Sequence, residues 1–256
     1  MNYSTSDFTL GILGGGQLGK MLLQVTSRLS IKTNVLDPSD DSPCKDLCSE
    51  FTKGQLMDFN AVYDFGKKCD IVTYEIEHVN VDALEKLERN GIDVYPDSKT
   101  LRIIQDKSTQ KDFFIKNNIP TANHKYYQSL KDVESIKYPC VWKKTKFGYD
   151  GYGVKILKSK EDFKTLPETE FIIEDLIPFK KELATTIARN KSGQIEIFPI
   201  VEMMFNEISN QVEYVLCPAQ ISEELNKKAT EIALKVSESF KQVGLLAVEM
   251  FLTDDD

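Results

Sequence analysis

The stretch FTLGILGGGQLGKMLLQ, residues 8–24, constrains this chain more than any other. An apolar strand runs directly into Gly14, Gly16 and Gly19, spaced G-x-G-x-x-G. A helix follows, with apolar residues at 18, 21, 22, 25 and 29. Strand, glycine turn and helix in that order aim backbone N–H groups and a helix N-terminus at a phosphate-bearing ligand. The remainder of 8–97 keeps the same grammar. KTNVLD reads as a second strand, a helix follows around 58–68, and DIVTY is a third strand. NVDALEKLERNG reads as a helix capped by Asn80 and closed at Gly91, and IDVYP ends the run. Strands alternating with crossover helices predict a doubly wound parallel sheet, with its ligand at the carboxyl ends of the strands.

The turn alone does not choose the ligand. Asp37 ends the second strand near where a nicotinamide enzyme keeps its ribose-binding acid. It also opens the turn PSDD, which equally suits a strand-end turn residue. Neither histidine, His78 or His124, lies in a recognisable catalytic segment.

A second glycine loop is more informative. In VWKKTKFGYDGYGVKIL, residues 141–157, a strand carrying Lys143 and Lys144 leads through Gly148, Gly151 and Gly153 into another strand. Lysine on the incoming strand supplies fixed positive charge to phosphates, and a mobile glycine hairpin closes over them. No G-K-[ST] opens a helix here, so this is not a Walker A loop. Alone, the segment is equally a glycine-rich hairpin with solvated lysines. Further on, EFIIEDLI ends in Glu174 and Asp175 followed by Leu176, a segment able to offer backbone groups to an adenine edge. Glu182 can accept from ribose hydroxyls. Glu249, in the apolar run AVEMF, suits an acid with a cation partner such as Mg²⁺. Each acid singly reads as a solvated face residue; their order along the chain strengthens the nucleotide reading.

After Pro96 the pattern becomes mixed: two helices over 98–117, then strands CVWKKT, GVKILK, EFIIED, ELATTIARN, IEIFPIVEMMF and VEYVLC. A long amphipathic helix spans 222–244 and a last strand, LLAVEMFL, follows it. A net charge of -8 argues against nucleic acid as the main partner. No apolar run is long enough for a membrane span, and MNYSTSD lacks a signal-peptide pattern. The five cysteines (44, 48, 69, 140 and 217) are scattered without a C-x-x-C pair, as in a reduced cytoplasmic protein.

Four motifs, GILGGGQLGKML, TYEIEHVNVDALEKL, KKTKFGYDGYGV and LLAVEMF, follow one another in the order that resembles the N5-carboxyaminoimidazole ribonucleotide synthetases of the ATP-grasp superfamily. The resemblance implies an α/β chain. A Rossmann-like pre-ATP-grasp domain would occupy 1–97, and an ATP-grasp α+β domain would follow. Its first subdomain, with the lid, would span 98–173, and its incomplete second subdomain 174–256. The implied activity is a carbon–nitrogen ligase of purine biosynthesis. ATP and bicarbonate carboxylate 5-aminoimidazole ribonucleotide through carboxyphosphate, with magnesium, in a cytoplasmic homodimer.

Matched by motif, Gln17, Leu18 and Glu75 fall at the ribonucleotide, and Tyr149 and Asp150, the catalytic candidates, resemble the pair that contacts it from the lid. Lys107, Lys143, Gly148, Gly151, Gly153, Glu174, Asp175, Leu176 and Glu182 fall at ATP, and Glu249 at magnesium. Tyr152 stands where the family commonly has arginine. Lys107 also replaces an arginine, keeping the charge without the bidentate fork. The family continues past FLTDDD into a segment like N-E-x-A-P-R-x-H-N-S-G-H with a second magnesium carboxylate. The resemblance therefore predicts a truncated piece, inactive or nearly so alone. The alternatives are a formate-dependent glycinamide ribonucleotide transformylase, whose first loop resembles G-E-L-G, and a catalytically silent nucleotide-binding module.

Overall fold

The computed structural model describes residues 7–146, 148, 153–205 and 212–254. The chain divides into two compact units, residues 1–102 and 103–256. The first holds β1 (Thr9–Leu13), α1 (Gln17–Arg28), β2 (Lys32–Asp37), β3 (Glu50–Lys53), α2 (Phe59–Gly66), β4 (Ile71–Tyr74), α3 (Val81–Arg89) and β5 (Asp93–Val94), and α4 (Ser98–Ile104) leads out of it. Its five strands are parallel, in the order β3-β2-β1-β4-β5. The chain winds from β1 to one side, then returns to β4 on the other. The crevice at this reversal lies between the carboxyl ends of β1 and β4, the place where open α/β sheets bind ligands.

Helices on both faces require strands buried on both sides, and the sequences comply. Four of the five β1 residues and four of the six in β2 are buried. Leu13, Leu36, Val72 and Val94 pack with Val62, Phe65, Leu84 and Leu87 of the helices, while Ile12 and Val35 pack with Leu23 and Cys44. Asp58 caps α2 through the Ala61 N–H, and Asn80 caps α3 through the Ala83 N–H, as its sequence predicts. Gly91, at φ +85°, follows α3 as expected.

The apolar stripe that marks α1 in the sequence faces outward. Leu18, Met21, Val25 and Leu29 are all more than half exposed, and the buried residues are Gly19, Leu23 and Thr26. Close packing selects that face: a Cβ on Gly19 would lie 3.0 Å from the Gly14 carbonyl oxygen, so only glycine lets the helix approach its own turn.

The second unit holds α5 (Lys107–Lys116), β6 (His124–Tyr127), β7 (Cys140–Lys144), β8 (Val154–Leu157), α6 (Lys160–Phe163), β9 (Phe171–Asp175), β10 (Lys181–Arg189), β11 (Ile195–Ile197), β12 (Val201–Phe205), β13 (Val212–Leu216), α7 (Glu223–Phe240) and β14 (Gly244–Leu252). Strands β6-β9-β7-β8 form one antiparallel sheet over Tyr127, Cys140, Trp142, Leu157 and Phe171. In the other, β10 pairs with β11, β12 and β14, and β13 extends β12. Ala229, Ala233 and Val236 of α7 pack on Leu183, Ile187 and Val248 of that sheet.

Two expectations are adjusted. The segment IEIFPIVEMMF is two strands, β11 and β12, with Phe198–Ile200 between them outside any strand. The helix expected over 222–244 ends at Phe240, because Lys241 turns left-handed at φ 57° and Gln242 is buried against the Ser237 hydroxyl.

Candidate functional site

In the first unit the site is built where β1 and β4 end. Gly14, at φ +97°, makes the turn, and Gly16 is the N-cap of α1, placing Gln17 and Leu18 at the head of the helix. Both side chains are exposed. The Glu75 N–H donates to the Leu13 carbonyl at 2.8 Å, which pins the residue after β4 beside the turn after β1. Its carboxylate lies against the glycines: a Cβ on Gly14 would stand 2.8 Å from Oε2, and one on Gly16 2.7 Å from Oε1. The sequence-predicted trio Gln17, Leu18 and Glu75 is thus brought to one crevice.

Asp37 has a different task. Its Oδ2 accepts the Gly15 N–H at 2.7 Å and its Oδ1 accepts the Ser39 N–H at 2.8 Å. Both carboxylate oxygens tie the glycine turn and the strand-end turn together, which satisfies the turn-residue reading without a ribose.

In the second unit, Lys143 of β7 and Glu174 of β9 lie on the same face of the first antiparallel sheet. Lys143 Nζ is 2.7 Å from Glu174 Oε2, and Lys111 Nζ of α5 is 2.9 Å from Oε1. Lys111 escapes a motif reading, although it stands one helical turn beyond Lys107 in QDKSTQK, a spacing that puts both on one helix face. Burial pushes the Glu174 carboxyl up, but the charges of Lys143 and Lys111 outweigh it and hold the group below the usual carboxylate range. Burial drives the Lys111 ammonium down, against the pull of Glu174.

The Lys107 N–H donates to the Thr145 carbonyl at 2.8 Å, and Asp106, the N-cap of α5, pairs with Lys146 at 3.4 Å. The start of α5 is thereby fastened to the strand that feeds the glycine loop. Lys144 N–H to the Gly153 carbonyl, 2.8 Å, closes the base of that hairpin, and Gly148 and Gly153 are half-buried. Tyr149, Asp150, Gly151 and Tyr152 lie outside the described residues. Asp175 is exposed and accepts from Asn123 Nδ2 at 3.0 Å, with Leu176 half-buried beside it.

Glu182 and Glu249 meet on the second sheet. Glu182 stands opposite Phe251 and Glu249 opposite Ala184, so the two carboxylates are diagonal neighbours on one face of β10 and β14. Burial, and then the charge of Glu249, push the Glu182 carboxyl up. Phe251 extends the same face and stacks on Phe179, with centroids 4.4 Å apart and planes 8° from parallel. Among the described residues no group of three or more His, Cys, Asp or Glu side chains gathers around a point. No helix among them is long and apolar enough to cross a membrane.

Comparison with known proteins gives this geometry its family. The ribonucleotide synthetase preATP-grasp domain matches residues 8–105, and the ATP-grasp domain matches residues 112–256. The chain is an ATP-grasp protein. At the level of whole chains it is 32% identical to the N5-carboxyaminoimidazole ribonucleotide synthase of Staphylococcus aureus, over all of this chain and 70% of that one. It is 36% identical to the phosphoribosylaminoimidazole carboxylase of Candida glabrata, over 97% of this chain and 45% of that one. The N5-carboxyaminoimidazole synthase of Aspergillus clavatus, solved with ADP and 5-aminoimidazole ribonucleotide, superposes with a TM-score of 0.87 at 33% identity, over 97% of this chain and 67% of that one. The chain belongs to the N5-carboxyaminoimidazole ribonucleotide synthase family. It spans a little under half the length of the eukaryotic carboxylase it matches.

Proposed function

We propose that these residues form the nucleotide- and ribonucleotide-binding part of an ATP-dependent carboxylase. It would use ATP and bicarbonate to carboxylate 5-aminoimidazole ribonucleotide through carboxyphosphate, in purine biosynthesis. The observation that carries the reading is the pair of carboxylates on β10 and β14. Two acids held as diagonal neighbours, with Glu182 pushed up by burial and then by the other's charge, suit a face that meets ribose hydroxyls and a cation. Magnesium binds with one or two carboxylates plus substrate phosphates, so Glu249 fits it only in company with ATP. When bound, the ion would neutralise charge on the transferring phosphoryl group.

The chain's own residues take the remaining roles. Lys143, aided by Lys107, meets the phosphates. Gly148, Gly151 and Gly153 are the glycines assigned to the nucleotide by the family resemblance. Glu174 through Leu176 present the adenine edge, and Glu182 accepts from the ribose. Gln17, Leu18 and Glu75 hold the ribonucleotide, and Tyr149 and Asp150 take the substrate role that the family resemblance gives them. Two supports stand outside this molecule: the Aspergillus protein's bound ADP and 5-aminoimidazole ribonucleotide, and the family match over both units.

Titration calorimetry of the 256-residue chain tests the proposal. ATP–Mg²⁺ and 5-aminoimidazole ribonucleotide are expected to bind separately. Lys143→Met should abolish only the first. Phosphate release dependent on both bicarbonate and the ribonucleotide reports turnover. Failure of both ligands to bind overturns the reading.

A further inference from the structure

Lys111 belongs to no glycine loop and no acidic strand end, yet it is the more deeply buried of the two lysines on Glu174. Its side chain is 13% exposed against 26% for Lys143, and the Glu174 side chain between them is 5% exposed. The two contacts divide the carboxylate, one oxygen to each lysine. Lys111 is held independently, because its Nζ also donates to Thr121 Oγ1 at 2.6 Å. Around this acid, therefore, two ammonium groups face one negative charge. Lys107, on the same helix, adds a further positive charge near Lys111.

We propose that Lys111 is a positioning residue that keeps Lys143 available to an anionic ligand by taking half of the Glu174 carboxylate. The inference rests on the nucleotide reading above and names a regulator of its charge. A buried carboxylate must be neutralised by whatever cation is within reach. With Lys111 present, the trio carries a net positive charge and Lys143 is only partly committed. Without it, Glu174 has Lys143 alone. The pair closes to neutrality, and a phosphate must then compete with a buried carboxylate for the same ammonium. The loss follows the ligand's charge: adenosine, which has no phosphate, is indifferent to it.

The test is equilibrium binding to the full chain, followed by calorimetry or by the fluorescence of Trp142, the sole tryptophan, which is buried next to Lys143 in β7. Lys111→Met should weaken ATP binding by about tenfold or more, the scale of a lost charge-assisted contact, and leave adenosine within about twofold. Lys111→Arg should restore ATP binding. The decisive variant is Lys111→Met combined with Glu174→Gln: removing the carboxylate releases Lys143, so the affinity for ATP relative to adenosine, which shares any change at the adenine edge, should recover although two ionic contacts are gone. A purely structural lysine would give the opposite result, because the second substitution would add to the damage.

If Lys111→Met does not fold, the double variant remains informative, since it removes the buried carboxylate together with its buried lysine and leaves only the more exposed Lys143. Its affinity for ATP relative to adenosine is expected to be at least that of the unaltered chain. Equal ATP affinity of unaltered and Lys111→Met chains, or no recovery in the double variant, overturns the inference. Failure of the unaltered chain to bind ATP overturns the nucleotide reading instead.

Discussion

The Gly15 N–H donates to Asp37 Oδ2 at 2.7 Å, joining the first glycine turn to the end of β2. The second oxygen of the same carboxylate accepts from Ser39 N–H, so one side chain organises two turns at the carboxyl edge of the sheet. Asp37→Ala leaves both N–H groups without their partner. The expected loss is about 1–3 kcal/mol of stability, the cost of leaving the buried Gly15 donor unmade, since the exposed Ser39 N–H can turn to water. Urea unfolding of the variant measures it. NADH fluorescence should not change on mixing with the unaltered chain, because the acid that would bind its ribose is already engaged. An enhancement on mixing would restore the dinucleotide reading of this turn.

The acidic pair on β10 and β14 makes a prediction about pH. Glu182 has its folded-state pKa raised by burial and by Glu249. A raised acid favours the folded state most fully below the carboxyl's unfolded pKa, and that contribution is lost as pH rises through the folded value. At neutral pH the pair therefore works against folding. Glu249→Gln should raise stability at pH 7 by about 0.5 kcal/mol, the scale of a cross-strand charge pair. The gain should fade in mildly acidic solution. Thermal unfolding at pH 7 and pH 4 checks this, and a variant less stable at pH 7 than the unaltered chain would contradict it.

Much of this architecture is legible in residues that act locally. The glycine turn, the Asn80 cap, the Gly91 stop and the EFIIED strand end each declare themselves through chemistry confined to a few neighbours. What escapes is long-range. Strand β3 reads EFTK and strand β6 reads HKYY, with neither alternation nor an apolar run. Their partners β2 and β9 make them strands. The outward face of α1 escapes for the same reason, since periodicity reports that a helix has an apolar stripe and not which side the sheet takes. The ion pair of Lys111 with Glu174 joins helix α5 to strand β9. No spacing rule connects them, and even the Lys107–Lys111 interval predicts only a shared face. Asp37 is a subtler case, because its type and position fit a ribose acid, and only the two N–H groups it accepts from reveal the turn.

Thiol reactivity separates the cysteines by environment. Burial pushes the Cys44 thiol up to about 11 and the Cys69 thiol up to about 12, with neighbouring carboxylates adding to both. Cys140 is also buried and raised, Cys48 is half-buried and raised, and Cys217 is exposed. Since the thiolate is the reactive form, Ellman's reagent at pH 8 should label one thiol rapidly under native conditions and the others only slowly. Peptide mapping should place the fast label on Cys217. Cys44 reacting as fast as Cys217 would mean that the packing of Ile12, Leu23 and Val35 around it is not as described.

Glu75 separates the two proposed ligand sites. Its carboxylate lies against Gly14 and Gly16, where a ribonucleotide would meet the turn, and its backbone is fixed by the bond to Leu13. Removing the carboxylate leaves that backbone bond intact, so Glu75→Ala should fold with near-normal stability. It should bind 5-aminoimidazole ribonucleotide about ten- to a hundredfold more weakly, the scale of a lost hydrogen bond to a charged group. ATP affinity should stay unchanged, because no nucleotide-binding residue proposed above lies in the first unit. Calorimetry with each ligand on Glu75→Ala and Lys143→Met gives a two-by-two comparison, with each substitution expected to affect one ligand alone. A Glu75→Ala chain that loses ATP and ribonucleotide binding together, or neither, would refute the assignment of this crevice to the ribonucleotide.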